Sequence, residues 1–436
     1  MRWHLNLDSL IIKNGSIVTM DESNRLLPQG AIYIEGSRII GIGKMADLEK
    51  TYRADEVIDA SNGVVMPGLI NSHVHFSSVL KRGVEDNLPL EQWLATLTPH
   101  PTQLASKEEL AAAFRLVLLE MIRAGITCYS AGAGMLRERY ESGLRSFNAL
   151  LVTGEIGDYK SVLQCIQENY SDRCQFGLGT PWLPSVSEDT LLEMKEVAEK
   201  HNLRIHMHVA ESKGEIQEVK RKHGCDGSIE YLDRLGLLTS RLTAAHCVHV
   251  SHKEIDLMRK RGAGVSHCPV SNAKLGDGIA PLADFLKAKI TIGLGSDGPA
   301  TNNCIDMFQE MKIACLLQRA VCCDPTVVKA EDVLRMVTIE GAKLLGIDNE
   351  VGSLKVGKKA DIIIVDFEKP HLYPKTNIFS HLVYSAKASD VDTTIVDGKI
   401  LMKNGKVKTM DEASILSEVQ EAYENISTRK EPWHSK

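Results

Sequence analysis

His73 and His75 in NSHVHF sit two residues apart, and they are the first residues in this chain whose types and spacing suggest chemistry. On an extended strand, residues i and i+2 point to one face, so both rings are presented together. Further along come His208 in IHMHVAES, His246 in AAHCVH and Asp297 in GLGSDG. Three imidazoles plus a carboxylate suit Zn²⁺ or Fe²⁺ and leave a coordination position for water. That water is the expected reagent, so hydrolysis is the first reading. Glu211, three residues after His208, reads as a proton shuttle whose pKa burial would raise.

The elements that must position these groups follow from periodicity. Eight apolar runs read as strands, at residues 68–75, 126–130, 147–153, 175–180, 204–209, 242–246, 264–267 and 290–296. Helix-like stretches lie between them, at 107–124, 188–200, 215–221 and 253–261. Strands alternating with helices predict a parallel sheet, and eight such units predict a (β/α)₈ barrel. An open doubly wound sheet is the alternative, but GLINSHVHF lacks the Gly-rich phosphate turn expected after its first strand. His73 and His75 fall at the C-terminal end of the first predicted strand, His208 of the fifth, His246 of the sixth and Asp297 of the eighth. That rim of a barrel is where active sites are built. His206 faces the same way as His208 but one layer deeper, and reads as a packed histidine. His249 and His267 lie near the mouth, with His267 a candidate substrate contact. The remaining eight of the fifteen histidines (4, 100, 201, 223, 252, 371, 381 and 434) read as ordinary core or surface residues.

The ends of the chain have a different texture. IIKNG, IYIEG and RIIG near the start, and ADIIIV and TIVDG after the middle, are short strands closed by turns. Residues 1–60 and 351–410 are therefore expected to form one small composite β-sandwich domain, with the barrel at 61–350 and a helical tail at 411–436. The chain has 436 residues, 43% hydrophobic and 25% charged, with a net charge of −6. Without concentrated Lys and Arg, a nucleic-acid partner is not expected. No apolar run reaches the ~18 residues of a membrane span, and MRWHLNLDSLIIKNG has no leader-like pattern. Ten scattered cysteines without a CxxC pair argue against a disulfide framework, and the expected location is cytoplasmic.

PGLINSHVHF, HMHVAES, AAHCVHV, SHCPVSNAKL and GLGSDGPATNN together resemble the amidohydrolase superfamily, nearest its methylthioadenosine/S-adenosylhomocysteine deaminase and s-triazine hydrolase branch. IIKNGSIVTMD and GSLKVGKKADIIIVD extend the resemblance over nearly the whole chain. It implies a mononuclear site, zinc before iron, with His73, His75, His208 and Asp297 as ligands and Glu211 and His246 as non-ligand catalytic groups. Asp297 would also take part in proton transfer. The two-metal branch's bridging lysine has no counterpart in QFGLGTPW. The implied reaction is release of ammonia from an amino-substituted N-heterocycle: an adenosine-type nucleoside, free base, pterin or triazine. Hydrolytic loss of chloride or an alkylamine from a triazine-like ring is the alternative, and an inactive scaffold of the same fold is a third reading. Two substrate signatures depart from the family. The acid that grips ribose after LPLxxWL is missing from ATLTPHPTQLA, and the fourth-strand histidine is replaced in TPWLPS. Trp93, Arg145, Trp182 and His267 remain as candidate substrate contacts. Relatives are commonly homo-oligomers, although no interface can be read in these residues.

Overall fold

The structure, a computed structural model, describes residues 9–96, 101–152 and 159–429. The expectations for His4, His100 and His434, for the missing acid where they concern residues 97–100, and for residue 153 lie outside these residues, as do the extremes of the two predicted terminal regions.

Five strands open the chain: β1 (Ser9–Val18), β2 (Leu26–Glu35), β3 (Arg38–Lys44), β4 (Glu56–Asp59) and β5 (Val64–Pro67). Eight follow in the centre: β6 (Leu69–Val74), β7 (Ile126–Gly132), β8 (Arg145–Leu151), β9 (Cys174–Trp182), β10 (Ile205–Val209), β11 (Leu242–His246), β12 (Gly264–His267) and β13 (Ile292–Leu294). Four close it: β14 (Ile362–Val365), β15 (Val391–Val396), β16 (Lys399–Lys403) and β17 (Lys406–Val407).

Strands β6 to β13 pair in sequence order, all parallel, with helices between them. Parallel strands covered by helices are buried on both faces, which is why ITCYSAG, LTAAH and GVSH read as runs without polar–apolar alternation. The first and last strands meet at a seam. Ser72 Oγ donates to the Leu294 carbonyl at 2.8 Å, and the Asp297 amide donates to the His73 carbonyl at 3.0 Å. Gly295 permits this approach, because a Cβ there would lie 2.7 Å from that of His73. The barrel expected from the sequence is thus present, with the third strand starting at Arg145 and the eighth shortened to three residues.

The other sheet has the order β17-β16-β15-β14-β5-β1-β2-β3, with β4 alongside β1, so both ends of the chain build it. Its apolar cluster, including Ile12, Ile32, Ile34, Ile362 and Ile395, is separate from the barrel's. Strand β5 falls within the range assigned to the barrel from sequence, yet it pairs with β1 and β14 in this sheet. The helix Glu412–Arg429 returns to the helix Lys107–Arg123, where Arg429 forks onto Glu109 at 2.7 and 2.8 Å. Among the described residues no helix is long and apolar enough to cross a membrane.

Candidate metal centre and active site

The C-terminal rim of the barrel gathers side chains from four strands. The His73 and His75 rings stand perpendicular, with centroids 4.8 Å apart. His75 Nε2 lies 3.1 Å from His208 Nε2 and 3.3 Å from Asp297 Oδ1, and His73 Nε2 lies 3.5 Å from that same oxygen. Ligand atoms about 2.0–2.2 Å from a tetrahedral zinc stand about 3.3–3.6 Å from each other, so these spacings are close to those of a donor cage. His73 Nε2 is buried and has no hydrogen-bond partner, as a lone pair reserved for a cation would be. Two overlapping sets fit a cation by distance: His73, His75 and His208, and His73, His246 and Asp297.

Proton positions follow from the partners. Burial, above all, pushes the His73, His206 and His208 rings down, His206 to about 3, so all three are neutral. His73 Nδ1 lies 2.7 Å from His206 Nε2, and His206 Nδ1 lies 3.1 Å from Ser130 Oγ. For His73 to present a lone pair at Nε2, its Nδ1–H must donate to His206, which in turn donates to Ser130. The deeper-layer position expected of His206 is where it lies, stacked on His73. Burial alone would raise Asp297, but the close approach of the His73 ring, with Nε2 3.5 Å from Oδ1, and of the His75 and His246 rings holds its carboxyl well below the usual carboxylate range. Asp297 Oδ2 accepts from Ser271 Oγ at 2.6 Å and Thr301 Oγ1 at 2.7 Å, leaving Oδ1 to face the rings.

Glu211 and His246 form a second pair beside this cage. His246 Nδ1 lies 2.9 Å from Asn272 Oδ1, which can only accept, so Nε2 carries the lone pair, 3.4 Å from Glu211 Oε1. Burial, then the charges of Asp297, Asp277, Glu215 and Glu91, push the Glu211 carboxyl well above its usual range. Burial and the neighbouring carboxylates thus favour the protonated form of Glu211. The backbone is bent to aim these groups: Ala210, His246, Cys247 and Asp297 all have left-handed φ, between 49° and 71°. Non-glycine residues adopt that region at a cost, and they cluster where side chains must be aimed away from a strand.

The candidate substrate contacts separate. Trp182 ends β9, in register with His208, and is half-buried at the rim. His267 ends β12, where burial and then His246 push its ring down to about 3, and its Nδ1 has no partner. Trp93 is packed with Leu90, Leu275 and Ala300 as part of a wall. Arg145 is a correction. It starts β8, at the end of the barrel away from the rim, where Nε and Nη2 donate to Asp361 at 2.9 and 3.1 Å. The basic residue in SGLRSF serves the contact with the other sheet, so it is not a substrate contact. Ser271, Asn272 and Thr301 were missed from sequence. Their signal was their place in SHCPVSNAKL and GSDGPATNN, in the short helices Pro269–Lys274 and Pro299–Asn302 that follow the ends of β12 and β13.

The amidohydrolase family profile matches residues 64–401. The chain is 39% identical over 435 residues to the 5'-deoxyadenosine deaminase of Methanosarcina mazei, covering 96% of this chain and 99% of that one. It is 37% identical over 439 residues to the 5-methylthioadenosine/S-adenosylhomocysteine deaminase of Moorella thermoacetica, covering 95% and 98%. A zinc-bound adenosine deaminase from Xanthomonas campestris superimposes with a TM-score of 0.90 at 27% identity, covering 96% and 98%. An atrazine chlorohydrolase from Arthrobacter aurescens, complexed with zinc and atraton, has a TM-score of 0.87 at 21% identity over 95% and 100%, a likeness of fold alone.

Proposed function

The chain belongs to the amidohydrolase family, and from that premise we propose that it is a metal-dependent deaminase releasing ammonia from an amino-substituted N-heterocycle. An adenosine-type nucleoside is the foremost substrate class, as for its deaminase relatives. His73, His75, His208 and Asp297 are proposed to hold one divalent cation, zinc before iron. Glu211, His246 and Asp297 are proposed to handle protons, with Trp182 and His267 against the heterocycle. The observation that carries the reading is the buried acid Glu211, 3.4 Å from the His246 lone pair, beside a cage of three imidazoles and a carboxylate. The free state of all ten cysteines accords with the proposed cytoplasmic location.

A divalent cation held by His73, His75, His208 and Asp297 would supply an acidified water, ready to lose a proton near neutral pH. The chain's own residues do the rest. Glu211 gives its proton to the ring nitrogen beside the amino-bearing carbon, which makes that carbon electrophilic. Asp297 Oδ1 takes the proton of the attacking water, and the neutral His246 Nε2 accepts a hydrogen bond that orients it. The carbon becomes tetrahedral, carrying OH and NH₂. The proton held by Asp297 passes to the amino group and ammonia leaves. Glu211 recovers a proton from the remaining hydroxyl as the carbonyl forms. Water and the amino compound thus balance to the oxo compound and ammonia.

These groups do not fix the leaving group, so loss of chloride or an alkylamine from a triazine-like ring is the second reading, favoured only by the fold likeness to triazine hydrolases. Ammonia release measured over aminopurine nucleosides, free bases, pterins and amino- and chlorotriazines separates the two. Ammonia from at least one aminopurine is expected. Chloride or alkylamine release with no ammonia from any of them would replace the deaminase reading.

A further inference from the structure

Glu215 is fully buried, its carboxylate has no cationic partner among the described residues, and the mechanism above does not use it. Its bonds go to the turn that carries Glu211. Oε1 accepts from the Ala210 amide at 2.6 Å and from Ser228 Oγ at 2.6 Å, and Oε2 accepts from the Glu211 amide at 2.9 Å. The other side of the same turn is held by the Ala210 carbonyl, which accepts from the Val248 and His249 amides, both at 2.9 Å, just past His246. One peptide pair therefore links the Glu211 turn to the His246 turn.

The sequence offers an internal comparison. Ser212…Glu215 and Ser251…Glu254 share the Ser-x-x-Glu pattern that opens a helix. At Ser251 the box closes on itself through one oxygen, with Glu254 Oε2 accepting the Ser251 amide at 3.0 Å. Oε1 accepts the Ile229 and Glu230 amides at 3.1 and 3.3 Å, so Glu254 holds its own N-cap as well as a neighbouring helix start. At Ser212 the hydroxyl caps the helix Lys213–His223 by accepting the Glu215 amide, but the carboxylate bypasses Ser212 and reaches back to residues 210 and 211. A local cap requires only the first arrangement. The second gives up the N-cap amide of Ser212 for the two amides of the Glu211 turn, and it goes with Ala210 at φ 53°, a conformation an alanine seldom adopts.

We propose that Glu215 is a positioning residue that, by clamping the Ala210 and Glu211 amides, sets the distance between the Glu211 carboxyl and His246. The proposal deepens the reading of Glu211 as the acid and rests on it, whereas the clamp itself is a property of the backbone that does not depend on any substrate. The nearest ligand of the proposed metal set, His208, precedes the clamped turn, so metal content is expected to stay unchanged when the clamp is cut.

The experiment combines Glu215→Gln, Glu211→Gln and the double variant, with two readouts. Amide hydrogen exchange at 210 and 211 should accelerate by about tenfold or more in Glu215→Gln while the barrel strands keep their protection. On a substrate that the wild type deaminates, kcat should fall by about 10²-fold, as for an angstrom-scale misplacement, with KM nearly constant. The double variant should be no slower than Glu211→Gln alone, because Glu215 acts only through Glu211. Unchanged exchange at 210 and 211 overturns the clamp, and losses that multiply in the double variant overturn its action through Glu211. A wild type inactive on every aminoheterocycle would sink the deaminase reading, yet the exchange readout would still decide the clamp. If Glu215→Gln does not fold, Ser228→Ala removes one donor while keeping the carboxylate, and it should show the same pattern with a several-fold loss.

Discussion

Glu211 and Asp297 are both buried carboxyls near the same cluster of rings, yet burial and partners shift them in opposite directions. Asp297 receives two hydroxyl donors and faces imidazoles, so it is held as an anion. Glu211 is buried and has other carboxylates around it, which favours its protonated form. Two acids separated in this way can serve as base and acid in one reaction. Glu211→Gln should therefore retain the metal, measured by elemental analysis at about one ion per chain, and lose turnover by several orders of magnitude, measured as ammonia release. Near-wild-type turnover would remove the shuttle from the mechanism. The five residues that opened the sequence reading could be picked out because histidine pairs at strand ends are poor packing choices without a ligand. Arg145 misled because a buried ion pair to a residue 216 positions away leaves no local trace. Ser271, Asn272 and Thr301 were harder to pick out for a related reason, since a hydroxyl or amide that orients a catalytic group looks like any other polar residue of a short helix.

The strands were legible because apolar runs broken by turn residues survive any tertiary context. Their allegiance to one sheet or the other was less so: VVMP reads like a barrel strand, and only its pairing with β1 and β14 assigns it elsewhere. The two sheets are joined by Arg145, which bonds Asp361 and also donates to the Asp172 carbonyl at 2.7 Å. Arg145→Met should strand a buried carboxylate and cost about 3–5 kcal/mol, seen in the denaturant midpoint. kcat per folded molecule should hardly change, because the site lies at the other end of the barrel. A large kcat loss at unchanged stability would instead return Arg145 to the substrate. A second element-scale test concerns the helix Met307–Cys322. Its first-turn Glu310 accepts from Asn302 Nδ2 at 2.5 Å, and burial pushes its carboxyl up to about 8. A carboxyl raised in the folded state contributes stability that is complete below the ordinary carboxylate pKa and is lost as pH rises toward 8. The urea midpoint of the wild type should therefore fall relative to Glu310→Gln between pH 5 and pH 8. A difference that stays constant with pH would mean that Glu310 is ionised throughout.

At the scale of the whole molecule, the proposed ligands occupy a telling set of strands. His73 and His75 come from the first barrel strand and Asp297 from just past the last, the two that meet at the seam, while His208 comes from the opposite arc. The seam is the weakest part of the closure by its backbone bonds. β13 is three residues long, and the first strand reaches it through the Ser72 hydroxyl and the Asp297 amide. A cation shared by these ligands would tie the two ends of the barrel sheet together and to its far side, and it would also neutralise a buried carboxylate. Binding that favours the folded state stabilises it by RT ln(1 + [L]/Kd), about 2.7 kcal/mol at a hundredfold excess over Kd. Removal of metal by a chelator should then lower the melting temperature by several degrees. Added zinc should restore it, and amide exchange should accelerate first in β6 and β13, with β8 on the far arc little affected. Arg145 and the second sheet brace the opposite end, so the apo protein should keep its far-ultraviolet circular dichroism. Superimposable melting curves with and without chelator, for protein purified with its metal, would mean that no cation spans the seam and that the imidazole cage serves another purpose.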